Sequence, residues 1–124
     1  MPTLELVTST APSVQVAAQG TLASVLLAQG KPAEAREAAR EAMDLLEKLG
    51  QIDQGESMVR LADVEARRAT GEDREALEAL RRAAQRVTER AATIEDGGWR
   101  ASFLAIAENE ETMRLARELG VATE

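Results

Sequence analysis

The sequence predicts an all-α fold of antiparallel helix pairs, on three observations. Apolar residues recur at alternating gaps of three and four, and no stretch sustains the period-2 alternation of a strand. Aromatics make up 2% of the chain against 44% apolar residues, so Ala and Leu must fill the interior and the helices must pack closely. A segment also recurs. Leu26-Leu27-Ala28-Gln29-Gly30-Lys31-Pro32-Ala33-Glu34-Ala35 returns in altered form at Arg67-Arg68-Ala69-Thr70-Gly71-Glu72-Asp73-Arg74-Glu75-Ala76. In both places a helical pattern stops at Gly, turns through polar residues and restarts with Glu-Ala, as in stacked helix–turn–helix units.

Residues 1–11 carry little pattern and read as a lead-in, or as the tail of a preceding helix; residues 12–120 read as one domain. Thr10 is placed to cap a first helix with Pro12 in its opening turn, where a missing N–H costs nothing. Val16, Leu22, Ala23, Leu26 and Leu27 carry that helix to Gly30. Pro32 opens a second helix whose apolar stripe is Ala35, Ala38, Ala39, Ala42, Leu45, Leu46 and Leu49, ending at Gly50. Asp53 with Glu56 has the spacing of a capping box before a third helix, which holds Met58, Leu61, Ala62, Val64, Ala66 and Ala69 and stops at Gly71. Asp73 is placed to cap a fourth, with Leu77, Leu80, Ala84, Val87, Ala91 and Ile94 in strict three–four rhythm up to Gly97-Gly98. A short helix bearing Trp99 and Phe103 and a closing helix through Met113, Leu115, Ala116 and Leu119 complete the chain. A break is expected near residues 107–109, with Asn109 as the cap.

Composition removes several function classes. The chain has no Cys and no His, which excludes disulfides, thiolate nucleophiles, imidazole catalysis and zinc sites of the usual kind. The formal charge is -7, which repels phosphate backbones and anionic lipid, so neither nucleic acid nor a membrane surface is expected as a partner. No apolar run approaches the roughly 20 residues that span a bilayer, and the first residues lack the pattern of a secretion signal; a cytoplasmic setting is expected. The carboxylates at Glu72, Asp73 and Glu75 and at Glu108, Glu110 and Glu111 have no calcium-loop spacing and suit first turns of helices. No catalytic residue, cofactor or metal is assigned, and no enzymatic activity is expected.

The repeated unit resembles the tetratricopeptide repeat. In the first unit Leu22, Ala23, Leu26, Gly30, Ala35, Ala39 and Ala42 occupy the pattern's positions; in the second Gly71, Ala76, Leu80 and Ala83 do so, while Asp63 falls where Leu is usual and Val64 replaces a small residue. Gly71 stands 41 residues beyond Gly30, longer than the repeat's usual ~34, so the likeness is to the type with extended helices. The tail, Trp99-Arg100-Ala101-Ser102-Phe103-Leu104 with Glu108-Asn109 and Thr112-Met113-Arg114-Leu115-Ala116-Arg117, resembles the end of repeat regions attached to myxobacterial-type serine/threonine kinases or ATPases. The resemblance implies a right-handed array of about two repeats plus C-terminal capping helices. Its packing would be set by Ala23, Gly30, Ala35, Ala42, Gly71, Ala76 and Ala83.

It also implies a protein-interaction or scaffolding role, within a bacterial signalling protein, for a peptide or helix held in a shallow groove. By matching positions that groove would take Ala17, Gly20, Ser24, Leu27 and Ala28 from the first unit and Met58, Leu61, Glu65, Arg68 and Ala69 from the second. Gly20 and Ser24 stand where the chaperone-tail version of the groove carries Lys and Asn, so that specificity is not expected. Trp99 and Phe103, four apart on one helix face, are expected to plug the open end of the stack. About three repeats are needed to bury a continuous core, so the sequence is expected either to be a fragment of a longer protein or to cover the exposed end of its first helix by forming a homodimer. A structural homo-oligomerisation bundle is the alternative function, and a small-molecule sensor a weaker one.

Overall fold

The computed structural model describes residues 12–52 and 55–121; the lead-in, the Thr10 cap and Asp53 lie outside them. The described helices are α1 Pro12–Ala28, α2 Pro32–Leu49, α3 Glu56–Ala69, α4 Asp73–Ala92, α5 Gly97–Leu104 and α6 Ala107–Glu118. No described residue forms a strand. Helix α1 pairs with α2 and α3 with α4, while α3 also lies against both members of the first pair. Helix α6 stands in the same relation to the second pair, touching both α3 and α4, and the short α5 links α4 to it. The closing helix therefore does more than cap. By these contacts it takes the place that the first helix of a further unit would occupy.

The turns after α1, α3 and α6 show why. Gly30 donates its N–H to the Leu27 carbonyl at 3.1 Å and Lys31 to that of Leu26 at 2.9 Å. Gly71 and Glu72 repeat this with Arg68 and Arg67, and Gly120 and Val121 with Arg117 and Ala116. Each is a Schellman motif, which needs a left-handed residue after the helix, and the three glycines have φ of 74°, 81° and 68°. The same local signal thus ends every first helix of a pair.

Three buried clusters form the interior. Ala23, Ala35, Ala38, Ala39, Ala62 and Ala66 fill the crossing of α1, α2 and α3, where the absence of larger side chains lets three backbones converge. Val16, Ala42, Leu46, Ile52 and Val59 continue it toward the α2–α3 loop. Leu61, Val64, Leu80, Ala84, Leu115 and Ala116 join α3, α4 and α6. Gly20 marks the closest approach: a Cβ built there would lie 2.7 Å from Val59 Cγ2 and 3.3 Å from the Val59 Cα. The four–three rhythm of α4 serves this interior over Leu80, Ala84, Val87 and Ala91, which are buried, whereas Leu77 is exposed; helix α4 stops at Ala92 and leaves Ile94 in the following loop.

Three expected caps differ. Glu56 is the first residue of α3, behind Gly55, and its carboxylate accepts from Arg86 and Arg60. Asp73 begins α4, and Glu72 before it makes no side-chain cap bond. Asn109 lies inside α6 and is buried, with Nδ2 donating to the Phe103 carbonyl at 2.8 Å. It thereby joins the end of α5 to α6, a task that a solvent-facing cap would not perform. The break itself falls at Ala105 and Ile106.

Candidate functional site

Two surfaces follow from this packing. The first is the face presented by α1, α3 and α6. Counting back from the turn glycines, Ser24, Glu65 and Arg114 occupy one equivalent position and Leu27, Arg68 and Arg117 another. Ser24, Glu65, Arg68, Arg114 and Arg117 are exposed. Ala17 and Met58, also equivalent, are half-buried. Gly20 is buried against α3 and Leu61 against α6, and Leu27 packs partly into the alanine cluster; these three shape the floor from beneath. Ala28 and Ala69 lie exposed at the helix ends.

The electrostatics of this face centre on α3 and α6. Partial burial, and then the like charge of Glu111, raise the Glu65 carboxyl above its usual range, with Arg68 countering. Arg114 is held by Glu111 and Glu118 on its own helix. The guanidinium groups of Arg68 and Arg117 make no hydrogen bond or ion pair among the described residues, leaving two cations in matching positions on neighbouring helices.

The second surface is a groove of about 710 Å³ between α2 and α4, floored by α3. Six arginines (Arg40, Arg60, Arg67, Arg74, Arg82, Arg86) and six acids (Asp44, Glu47, Asp63, Glu75, Glu78, Glu89) line it, so it carries no net charge to select an anion or a cation. Three of its arginines, Arg60, Arg67 and Arg86, are held from below. Glu56, 1% exposed, accepts from Arg86 Nε at 2.8 Å and Arg60 Nε at 3.0 Å, with Arg90 Nη1 at 3.8 Å. Asp63, 2% exposed, accepts from Arg67 Nε at 3.1 Å and has Arg36 Nη1 at 4.0 Å. Arg36 Nε in turn donates to Glu72 at 2.8 Å, and the Thr70 hydroxyl donates to the same carboxylate at 2.9 Å. Burial alone would raise the Glu56 carboxyl, but the hydrogen bonds from Arg86 and Arg60 outweigh it and hold the group below its usual range. For Asp63 burial wins over Arg67 and Arg36, and the carboxyl is raised.

A family model described as a tetratricopeptide repeat matches residues 14–89. The chain belongs to the tetratricopeptide-repeat family. Among curated proteins and among solved structures, none matches it. Repeats of this family generally mediate contacts between proteins; Ala23, Ala35, Ala42, Ala76 and Ala83 are all buried, Ala23 and Ala35 within the alanine cluster. Asp63, at a position where the repeat pattern has Leu, is explained by its ion pairs, which tie the first repeat to the turn of the second.

The repeat's end is built differently from expectation. Phe103 is half-buried, with the Arg90 guanidinium 5.6 Å from its ring centroid, but Trp99 is 75% exposed among the described residues. Sequence reasoning missed Arg114 and Arg117 as members of the first face. Their signal was available: Leu119-Gly120-Val121 repeats the Gly30 and Gly71 turns one unit on. It also missed the burial of Glu56, for which an acid at a helix start gives no local sign.

Proposed function

We propose that the face shared by α1, α3 and α6 docks a peptide or helix of another protein, as a non-catalytic scaffold or regulatory module. The observation that carries this reading is the alignment of Ser24–Glu65–Arg114 and Leu27–Arg68–Arg117 across three successive first helices. A ligand lying across the helices meets the same pair of positions three times, over a floor of small and apolar side chains at Ala17 and Met58. The guanidinium groups of Arg68 and Arg117, without a hydrogen bond or ion pair among the described residues, favour a segment that carries acidic residues, since each offers a planar donor fork to a carboxylate. The setting we propose is the cytoplasm, within a bacterial signalling protein whose repeat region accompanies a serine/threonine kinase or ATPase module. Support for that setting is the likeness of the Trp99–Leu104 and Thr112–Arg117 segments to such regions.

The test is selection of displayed peptides on the wild-type chain, followed by titration of the selected sequences against R68E/R117E. Acid-bearing peptides that bind wild type and lose roughly tenfold or more in affinity for the double variant, about 1.4 kcal/mol, support the reading. Selected peptides that bind both proteins equally would place the docking surface elsewhere.

A further inference from the structure

Helix α1 differs from every other helix in carrying no charge. From Leu6 to Gly30 the chain has no Asp, Glu, Lys or Arg, although it has 37 charged residues in total, 15 basic and 22 acidic. Its outward face is nonetheless apolar. Val14, Ala18, Thr21, Val25 and Ala28 recur at gaps of four and three, and all are exposed, with Leu22 beside them. Val14 is 51% exposed, and Leu22 and Val25 are each 45% exposed.

The repeat explains what this face is shaped to do. One unit on, 41 residues along, the positions of Ala18, Thr21 and Val25 are held by Val59, Ala62 and Ala66. In α3 these three are buried against the first helix pair. The exposed stripe of α1 is therefore the surface by which a first helix receives a neighbour, present here with none of the chain's described residues on it.

We infer that this surface receives a second copy of the same chain, with the two α1 helices packed antiparallel about a two-fold axis at Thr21. Charge selects this occupant. Two chains of -7 repel overall, and in a two-fold contact a charge near the axis meets its own copy; a face without charge escapes this penalty. Size agrees. The antiparallel register sets Val14 against the partner's Ala28 and brings Ala18 within one residue of the level of the partner's Val25, large beside small at both steps, with Thr21 meeting the partner's Thr21 on the axis. Head-to-tail stacking lacks such a match, because the positions that α1 turns inward as Gly20, Ala23 and Leu27 recur on α6 as Glu110, Met113 and Arg117. The contact is short, since α1 rises over about 25 Å, and it covers less than the roughly 800 Å² per partner of a standard interface. Dimers accordingly form in a concentration-dependent equilibrium.

Sedimentation velocity over a rising concentration series tests this. Wild type is expected to shift from monomer toward dimer, and T21E and T21K, each placing like charges across the axis, to remain monomeric with unchanged helicity by circular dichroism. An equimolar mixture of T21E and T21K is expected to regain the dimer, because each copy then meets the opposite charge. R68E/R117E is expected to dimerise as wild type does, which separates this surface from the peptide-docking face. Wild type that stays monomeric throughout, a dimer that T21E leaves intact, or a mixture that fails to reassociate would each overturn the inference.

Discussion

Arg86 on α4 donates its Nε to Glu56 at the start of α3, 2.8 Å away and across 30 residues of chain. This contact closes the second helix pair at the end opposite its Gly71 turn. Arg60 reaches the same carboxylate oxygen from one turn along α3, so a single buried acid fixes two helices. Because Glu56 is 1% exposed, an isosteric amide there leaves Arg60 and Arg86 facing a group that no longer balances them. E56Q is expected to lower unfolding free energy by about 2–3 kcal/mol, near the low end for a broken buried pair, since the arginines keep some contact with water. Urea denaturation at neutral pH measures it.

The same residue sets a pH dependence. The folded Glu56 carboxyl lies below its unfolded value near 4.5, so its contribution is present above that value and is lost as pH falls through the folded pKa. Asp63 and Glu65 act in the opposite sense. Their folded values are raised, so in the window just above their ordinary values the folded state binds more protons and gains stability as pH falls. The stability gap between wild type and E56Q is therefore expected to be widest at neutral pH and to shrink below about pH 4.5. A gap that stays constant down to pH 3 would show that Glu56 acts by shape rather than by charge.

Gly20 supplies a packing prediction. An added Cβ meets Val59 at both its side chain and its Cα, and the backbone cannot yield as a flexible side-chain tip does. G20A gains helix propensity of about 1 kcal/mol, yet overpacking typically costs about 1–3 kcal/mol. The net expectation is a modest loss of stability, seen as a lower thermal midpoint. A stabilised G20A would mean that α1 and α3 separate more readily than their contact implies.

These residues also show what the sequence made legible. Helix pairs, turn glycines and the alanine crossings were readable because each rests on a local rule: a three–four period, a left-handed terminator, a small residue at repeat spacing. The roles of Glu56, Asp63 and Asn109 were not. Each looked like a polar residue with a routine local task, a cap or a pattern mismatch, and each is buried, Glu56 and Asp63 beside arginines of another helix and Asn109 against the end of α5. Gly20 and Leu61 were assigned to an open groove by position within the repeat, and neighbouring helices α3 and α6 cover them. The place of α6 beside α3 and α4 was marked only by the turn glycine at Gly120, because α5 separates it from α4 and lengthens the interval from 41 residues to 49.

The α5 aromatics allow a paired test of how the C-terminal end is held. Phe103 sits under Arg90, and its carbonyl accepts from the buried Asn109, so α5 is tied to both α4 and α6 near this residue. F103A removes the ring from half-buried surroundings and forfeits a cation–π contact worth about 0.5–1 kcal/mol at such sites, for a total loss of about 1–3 kcal/mol. Trp99, 75% exposed, has little packing to lose, and W99A is expected to change stability by less than about 0.5 kcal/mol. Hydrogen exchange across residues 97–106 should rise in F103A and stay at the wild-type level in W99A. If W99A proved the more damaging of the two, the tryptophan would have to be packed in solution, and the end of the array would be closed by a different contact from the one Arg90 and Phe103 make.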